Sequence, residues 1–251
     1  VNFVKTNRKV THLKRNAQMK FVILAHLAAL HLHSMPLVLN KNIAPDGYLG
    51  VWHATEKADD LISRLTLDPD DLRLLATIRN PNRKLQWLGC RMVLSGLLQT
   101  PEVGIRYTEY GKPLLVSGNG HISFSHSGHL AAAIWSPVSR AGIDLEQVRE
   151  KINRVADRFL TPRELTLASG PDRIEVLTLF WAVKETLYKI NGKPDLDIQQ
   201  DLSIESFDYL CATQGELSAR IRGSGEPVSV PVSYERMNGF ILAWATVPEN
   251  F

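Results

Sequence analysis

The segment from Asp172 to Gly192 restricts this chain more than any other, because it is helical by pattern yet divided into two unlike faces. At about 100° per residue, Val176, Phe180, Val183, Leu187 and Ile190 fall on one apolar stripe, which predicts a buried face. Trp181, Lys184, Glu185, Tyr188 and Lys189 occupy an arc of roughly 140° on the other side. An ordinary solvated face with an i,i+4 pair between Glu185 and Lys189 would account for that arc. The residues upstream favour a second reading, in which the arc faces a site.

Ala141-Gly142-Ile143-Asp144-Leu145-Glu146 alternates apolar and acidic with period two. In a strand, Ile143 and Leu145 face the core. Asp144 and Glu146 then project together from the other face, their Cα atoms about 7 Å apart, so that both carboxylates can converge on one cation.

Around these two segments the order of elements repeats. The first copy reads as a strand at Gly50–His53, helices over Thr55–Leu65 and Pro69–Arg79, and a long helix opened by Asn80 and Pro81 that runs to about Gln99. Strands follow near Ile105–Tyr110, Leu114–Val116, His121–Ser125 and Leu130–Trp135, with turn chemistry at Ser117-Gly118-Asn119-Gly120. The second copy reads as a strand at Gly142–Glu146, helices over Ile152–Phe159 and Pro162–Leu167, and the long helix Asp172–Ile190. Strands near Ile204–Tyr209, Glu216–Arg222, Val228–Tyr234 and Phe240–Thr246 complete it. Thr161-Pro162-Arg163-Glu164 has capping-box spacing. Trp87-Leu88-Gly89-Cys90-Arg91 falls where Trp181-Ala182-Val183-Lys184-Glu185 falls in the second copy, which suggests two pseudo-repeats with Arg91 in the place of the carboxylate.

G-x-D-x-E at Gly142 to Glu146, followed by W-x-x-K-E-x-x-x-K at Trp181 to Lys189, resembles the 4′-phosphopantetheinyl transferases, specifically their two-lobed surfactin-synthetase-activating type. Tyr110-Gly111-Lys112-Pro113 and Phe124-Ser125-His126-Ser127 resemble that family's coenzyme-A-binding segments and come in the family's order. These landmarks cover residues 110 to 192, and the likeness is expected to extend from about 35 to the end. The resemblance implies an α+β fold of two similar lobes, each a small, mainly antiparallel sheet packed with a long helix. The expected divisions are 1–34 as a leader outside the fold, 35–139 as the N-terminal lobe and 140–251 as the C-terminal lobe, with the site at the lobe interface.

It also implies transfer of 4′-phosphopantetheine from coenzyme A to a serine of an apo acyl, peptidyl or aryl carrier protein, leaving adenosine 3′,5′-bisphosphate. Asp144, Glu146 and Glu185 are the expected ligands of Mg²⁺ or Mn²⁺; three carboxylates crowded without a metal would repel one another. Lys184 and Lys189 would reach the phosphates, and Glu185 or Glu146 would take the proton of the serine. Gly111, Lys112, Pro113, Ser125 and His126 would hold the nucleotide, with Arg83 and Arg91 as candidates for the 3′-phosphate beside Lys84 and Arg73. Thr186 and Gly192-Lys193-Pro194 depart from the usual family pattern without touching a proposed ligand. Arg154, Arg158, Phe159 and Leu160 are either part of a carrier-docking patch or, for the two apolar residues, simply core.

The charge balance argues against nucleic acid as a partner. The 251 residues carry a formal net charge of +3, yet residues 1–34 contain Lys5, Arg8, Lys9, Lys14, Arg15 and Lys20 and no acid, so the rest of the chain stands at −3. No basic stripe for a phosphate backbone remains. Cys90 and Cys211 make no disulfide framework and read as small buried residues of a reducing compartment. The apolar run Phe21–Leu30 is too short to span a bilayer. The first 34 residues therefore read as an upstream stretch before a start at Met35, as a membrane-surface arm or as an export signal. The first reading is expected, since Met35-Pro36-Leu37-Val38-Leu39 opens an ordinary domain and export fits poorly with use of coenzyme A. A cytoplasmic monomer with no membrane partner is the corresponding expectation. Two rivals remain open: a Mg²⁺-dependent pyrophosphohydrolase of coenzyme A or nucleotides, and a coenzyme-A- or carrier-binding module without catalysis.

Overall fold

The computed structural model describes residues 37–43, 46–206, 213–222 and 226–250. The expected leader, Cys211 and the far end of the strand expected near Ile204–Tyr209 lie outside the described residues.

Two antiparallel sheets form the frame. The first is six-stranded, in the order β1-β2-β6-β5-β4-β3, built from β1 (Leu37–Ile43), β2 (Gly47–His53), β3 (Ile105–Tyr107), β4 (Pro113–Leu115), β5 (His121–Ser127) and β6 (Leu130–Ser136). The second is five-stranded, in the order β7-β11-β10-β9-β8, built from β7 (Arg140–Gln147), β8 (Leu202–Ser206), β9 (Gln214–Ile221), β10 (Val228–Met237) and β11 (Phe240–Val247). Without β1 the two sheets have one topology: in each, the first strand pairs with the last and the others follow in reverse order. The doubled order of the sequence is thus a doubled fold.

The helices repeat as well. In the first lobe α1 (Ala58–Ile62) and α2 (Pro69–Thr77) precede the long α3 (Pro81–Leu98), and in the second α4 (Pro162–Leu167) precedes the long α5 (Arg173–Asn191). The helix expected over Thr55–Leu65 shrinks to five residues, and the one expected over Ile152–Phe159 is two short 3-10 turns at Glu150–Arg154 and Ala156–Arg158. Neither segment has the length to propagate an α-helix without tertiary support. The strand expected to reach Tyr110 stops at Tyr107, where the chain turns with Gly111 N–H on the Thr108 carbonyl.

Alternation along the strands fixes which faces meet. Trp52, Ile122, Ala131 and Ala133 pack beneath α3, whereas Leu49, Val51, Ala132 and Ile134 pack against Ile143, Leu145, Leu242 and Trp244 of the second sheet. The opposite face of that sheet, including Ile241 and Ala243, carries α5 through Val176, Phe180, Val183, Leu187 and Ile190, the stripe read from the sequence. The result is helix, sheet, sheet and helix in four layers. Phe159 and Leu160 are buried in the second core, which settles them as core rather than docking surface. Cys90 is buried too, its thiol pushed up to about 11 by burial.

A buried ion pair marks each copy. In α2, Asp68 caps the helix ahead of Pro69, and Asp71, three residues after the cap, takes Arg91 of α3 at 2.7 Å. In α4, Thr161 caps the helix ahead of Pro162, and Glu164, again three residues on, takes Lys184 of α5 at 2.9 Å. Both pairs are almost wholly shut off from solvent.

The contact between α5 and β7 is close because residue 142 is glycine. A Cβ there would lie 2.4 Å from the carbonyl oxygen of Thr186 and 2.7 Å from Ile190 Cγ1. Gly142→Ala is expected to lower stability by about 1–3 kcal/mol through overpacking, read as a lower urea midpoint at unchanged slope.

Candidate active site

A cleft of about 460 Å³ opens where β5 and the turn before β4 approach β7 and the C-terminal half of α5. Asp144, Glu146 and Lys189 line it from the second lobe. From the first lobe Arg83, Arg91, Gly111, Lys112, Pro113, Ser125 and His126 do so. Residues as far apart in the sequence as Arg83 and Lys189 are brought to one cleft.

On β7, Asp144 and Glu146 project from the face opposite Ile143 and Leu145, as their alternation requires. That face is not open: Asp144 is only 4% exposed. Its Oδ1 accepts from Lys189 Nζ at 2.6 Å and from Ser125 Oγ at 2.8 Å. Its Oδ2 is buried with no donor among the described residues. Glu146 Oε1 accepts from the indole of Trp181 at 3.0 Å and Oε2 from Ser127 Oγ at 3.3 Å. Burial, and then the charge of Asp144, hold the Glu146 carboxyl above its ordinary range.

Glu185, on α5, is not among the residues that line the cleft, and it makes no side-chain hydrogen bond to the described residues. Burial, then Asp144 and more weakly Glu146, push it up to about 7, with Lys189 opposing. Glu146 and Glu185 thus both sense the charge of Asp144. As they stand, no three His, Cys, Asp or Glu side chains among the described residues are gathered closely enough to hold a metal ion.

Lys184 does not join this group. It is fully buried, with its ammonium on Glu164, on the Phe159 carbonyl at 2.7 Å and on the Ile198 carbonyl at 3.2 Å. On the helical wheel it stands only about 40° from Phe180, at the margin of the apolar stripe. The packing of α4 and the chain before β8 closes that margin, so the expected arc of five site residues loses one member.

The cations of the first lobe differ in how committed they are. Arg83, at the start of α3, is exposed and its guanidinium touches the His126 ring. Burial, Arg83 and Lys189 hold His126 down to about 4, so at neutral pH it is an uncharged acceptor. Arg91 is 1% exposed, paired with Asp71 and stacked 3.3 Å from the centroid of Trp87. Arg73 pairs with its helix neighbour Asp70 at the surface. Lys112 donates to the carbonyl of Ile190 at 3.0 Å, where Arg140 also donates, and burial and Arg140 lower it to about 8. Gly192 ends α5 at φ +70, and a Cβ on it would strike the Lys112 side chain. His129 packs with His53 and Phe240, away from His126.

Ser125 is expected from the sequence to hold the nucleotide, and the serines of β5 also join the sheets. Ser123, Ser125 and Ser127 accept the N–H groups of Ile143, Leu145 and Gln147 at 3.4, 3.0 and 3.0 Å, satisfying the free edge of β7. The period-two spacing of serine was the available signal.

Residues 140–245 match the 4′-phosphopantetheinyl transferase superfamily. The match runs from the start of β7 into β11 and so takes in Asp144, Glu146, Glu185 and Lys189. The first lobe lies outside it. No curated protein matches the chain. Over this stretch, then, the second lobe is similar to an enzyme superfamily, and Asp144, Glu146, Glu185 and Lys189 lie inside the matched segment. No helix among the described residues is long and apolar enough to cross a membrane.

Proposed function

We propose that the cleft transfers 4′-phosphopantetheine from coenzyme A to a serine of an apo acyl, peptidyl or aryl carrier protein, releasing adenosine 3′,5′-bisphosphate. The observation that carries this reading is the pair Asp144 and Glu146 on the cleft wall with Lys189 beside them and Glu185 within their electrostatic reach, all inside the matched segment. The doubled topology supports the two-lobed, surfactin-synthetase-activating type, in which one chain supplies both sides of the site.

The donor set suits a hard divalent cation. Asp144 Oδ2 is a buried carboxylate oxygen without a partner among the described residues, and Glu146 and Glu185 are both held above the ordinary carboxylate range by burial and by Asp144. These features are costly in a protein unless a positive charge relieves them. Asp144, Glu146 and Glu185 would hold Mg²⁺ or Mn²⁺, which when bound supplies charge neutralisation at the pyrophosphate.

The side chains then divide the work. Lys189, half-buried at the cleft wall, holds Asp144 and brings positive charge toward the phosphates. Arg83 and His126 line the cleft and are the candidates to meet the nucleotide end. The serine oxygen of the carrier forms a bond to the β-phosphorus, and the bond from that phosphorus to the bridging oxygen breaks. The serine proton passes to a carboxylate. Glu185 suits that step better than Glu146, since both oxygens of Glu146 already accept hydrogen bonds.

Release of adenosine 3′,5′-bisphosphate, followed with and without an apo carrier protein, tests this reading. Release that requires the carrier is expected. Equal release without it would indicate the hydrolase, and binding of coenzyme A with no release would indicate the binding module.

A further inference from the structure

We propose that Ser125 and Ser127 are positioning residues that set the orientation in which Asp144 and Glu146 meet a divalent cation. The inference rests on the transfer reading above and adds two side chains to it.

A serine hydroxyl has one proton to donate and two lone pairs to accept with. In β5 each lone-pair contact is already fixed by the neighbouring strand: Ser125 Oγ accepts from Leu145 N–H and Ser127 Oγ from Gln147 N–H, both at 3.0 Å. With the oxygen anchored, the proton goes to the carboxylate one residue earlier on β7. Ser125 donates to Asp144 Oδ1 at 2.8 Å, and Ser127 donates to Glu146 Oε2 at 3.3 Å. Each hydroxyl thus turns a backbone N–H, whose direction the strand sets, into a fixed position for a carboxylate.

At Asp144 the consequence is visible. Ser125 and Lys189 both occupy Oδ1, which leaves Oδ2 buried and without a donor among the described residues. The oxygen left over is the one available to a cation. At Glu146, Trp181 from α5 and Ser127 from β5 hold one oxygen each, so elements from both lobes determine where the carboxylate stands. Groups that orient ligands in this way tune metal affinity without touching the metal.

The ladder contains its own control. Ser123 accepts from Ile143 N–H at 3.4 Å in the same manner, but the residue before Ile143 is Gly142, so no carboxylate is there to receive its proton. Ser123 joins the sheets without orienting an acid.

The test is titration calorimetry of Mn²⁺ into the full chain, without coenzyme A or carrier, together with thermal unfolding. Ser127→Ala is expected to weaken Mn²⁺ binding about ten- to a hundredfold, and Ser127→Thr, which keeps the hydroxyl, to restore it. Ser123→Ala is expected to lower the melting temperature and leave Mn²⁺ affinity unchanged. Unchanged affinity in Ser127→Ala would overturn the proposal, as would an equal loss in Ser123→Ala, which would mean general loosening of the lobe contact. Should Ser127→Ala fail to fold, Ser127→Cys, a weak donor of similar size, carries the same expectation. A wild-type chain that binds no Mn²⁺ overturns both the cation site and the ladder's role. One that binds Mn²⁺ but does not modify a carrier refutes the transfer and leaves the affinity comparison standing.

Discussion

Glu185→Gln is expected to lower phosphopantetheine transfer by about 10²- to 10⁴-fold, the range for loss of a general base, and at the same time to stabilise the metal-free protein above pH 7. The second effect follows from linkage. The Glu185 carboxyl titrates at about 7 in the fold against an ordinary value of 4.5. The folded chain therefore holds a proton that the unfolded chain releases, and stability falls as pH rises from the ordinary value through the raised one. At about 1.4 kcal/mol per pH unit, the loss is about 3.5 kcal/mol if the whole shift from 4.5 to about 7 is expressed. A glutamine carries no charge and escapes it. Melting temperatures of the two proteins in chelator should therefore agree near pH 5 and diverge above pH 7, with the variant higher. Mg²⁺ should raise the melting temperature of the wild type more at pH 8 than at pH 5, since the cation offsets a repulsion present only when the acids are ionised. Parallel pH profiles for wild type and variant would mean that Glu185 is not desolvated beside Asp144.

Lys184→Met is expected to have the largest effect on stability, about 3–5 kcal/mol, because it leaves Glu164 charged and without its ion-pair partner in the core. Glu164 is the hub of the second lobe: it accepts from Lys184, from the backbone and hydroxyl of the cap residue Thr161, and from the N–H of Ile204 on β8. Its removal from balance should loosen α4, α5 and β8 together. Converting Glu164 to Gln in the same chain should recover part of the loss, since a neutral pair has no buried charge to compensate. In the fraction that stays folded, the KM for coenzyme A should not change, whereas Lys189→Met should raise it. Near-normal stability of Lys184→Met combined with a more than tenfold loss of transfer would place its ammonium at the phosphates after all.

These two lysines also mark the limit of what the amino-acid sequence reveals. Period-3.6 reading found the buried stripe of α5 and period-two reading found the faces of β7, because both patterns are local and strong. The repeated order of elements carried the doubled topology for the same reason. Lys184 was misplaced because a side chain at the edge of an amphipathic stripe is buried or exposed according to what packs beside it, and α4 is 20 residues away in sequence. Its partner Glu164 was legible as a capping residue, but not as the acceptor of a distant cation. β1 carries no period-two signal, because in Leu37–Ile43 three apolar residues are followed by Asn40, Lys41 and Asn42, and its edge pairing with β2 is tertiary information. The serine ladder is of the same kind: its spacing is visible in β5, but its partners are N–H groups, which no side-chain pattern records.

The most direct measurement is the intact mass of an apo carrier protein after incubation with this chain, coenzyme A and Mg²⁺, with Glu185→Gln alongside. A gain of one phosphopantetheine on the carrier serine, absent with the variant and abolished by chelator, is the predicted result. An unmodified carrier in the presence of a folded chain that binds or cleaves coenzyme A would contradict the transfer assigned to this cleft.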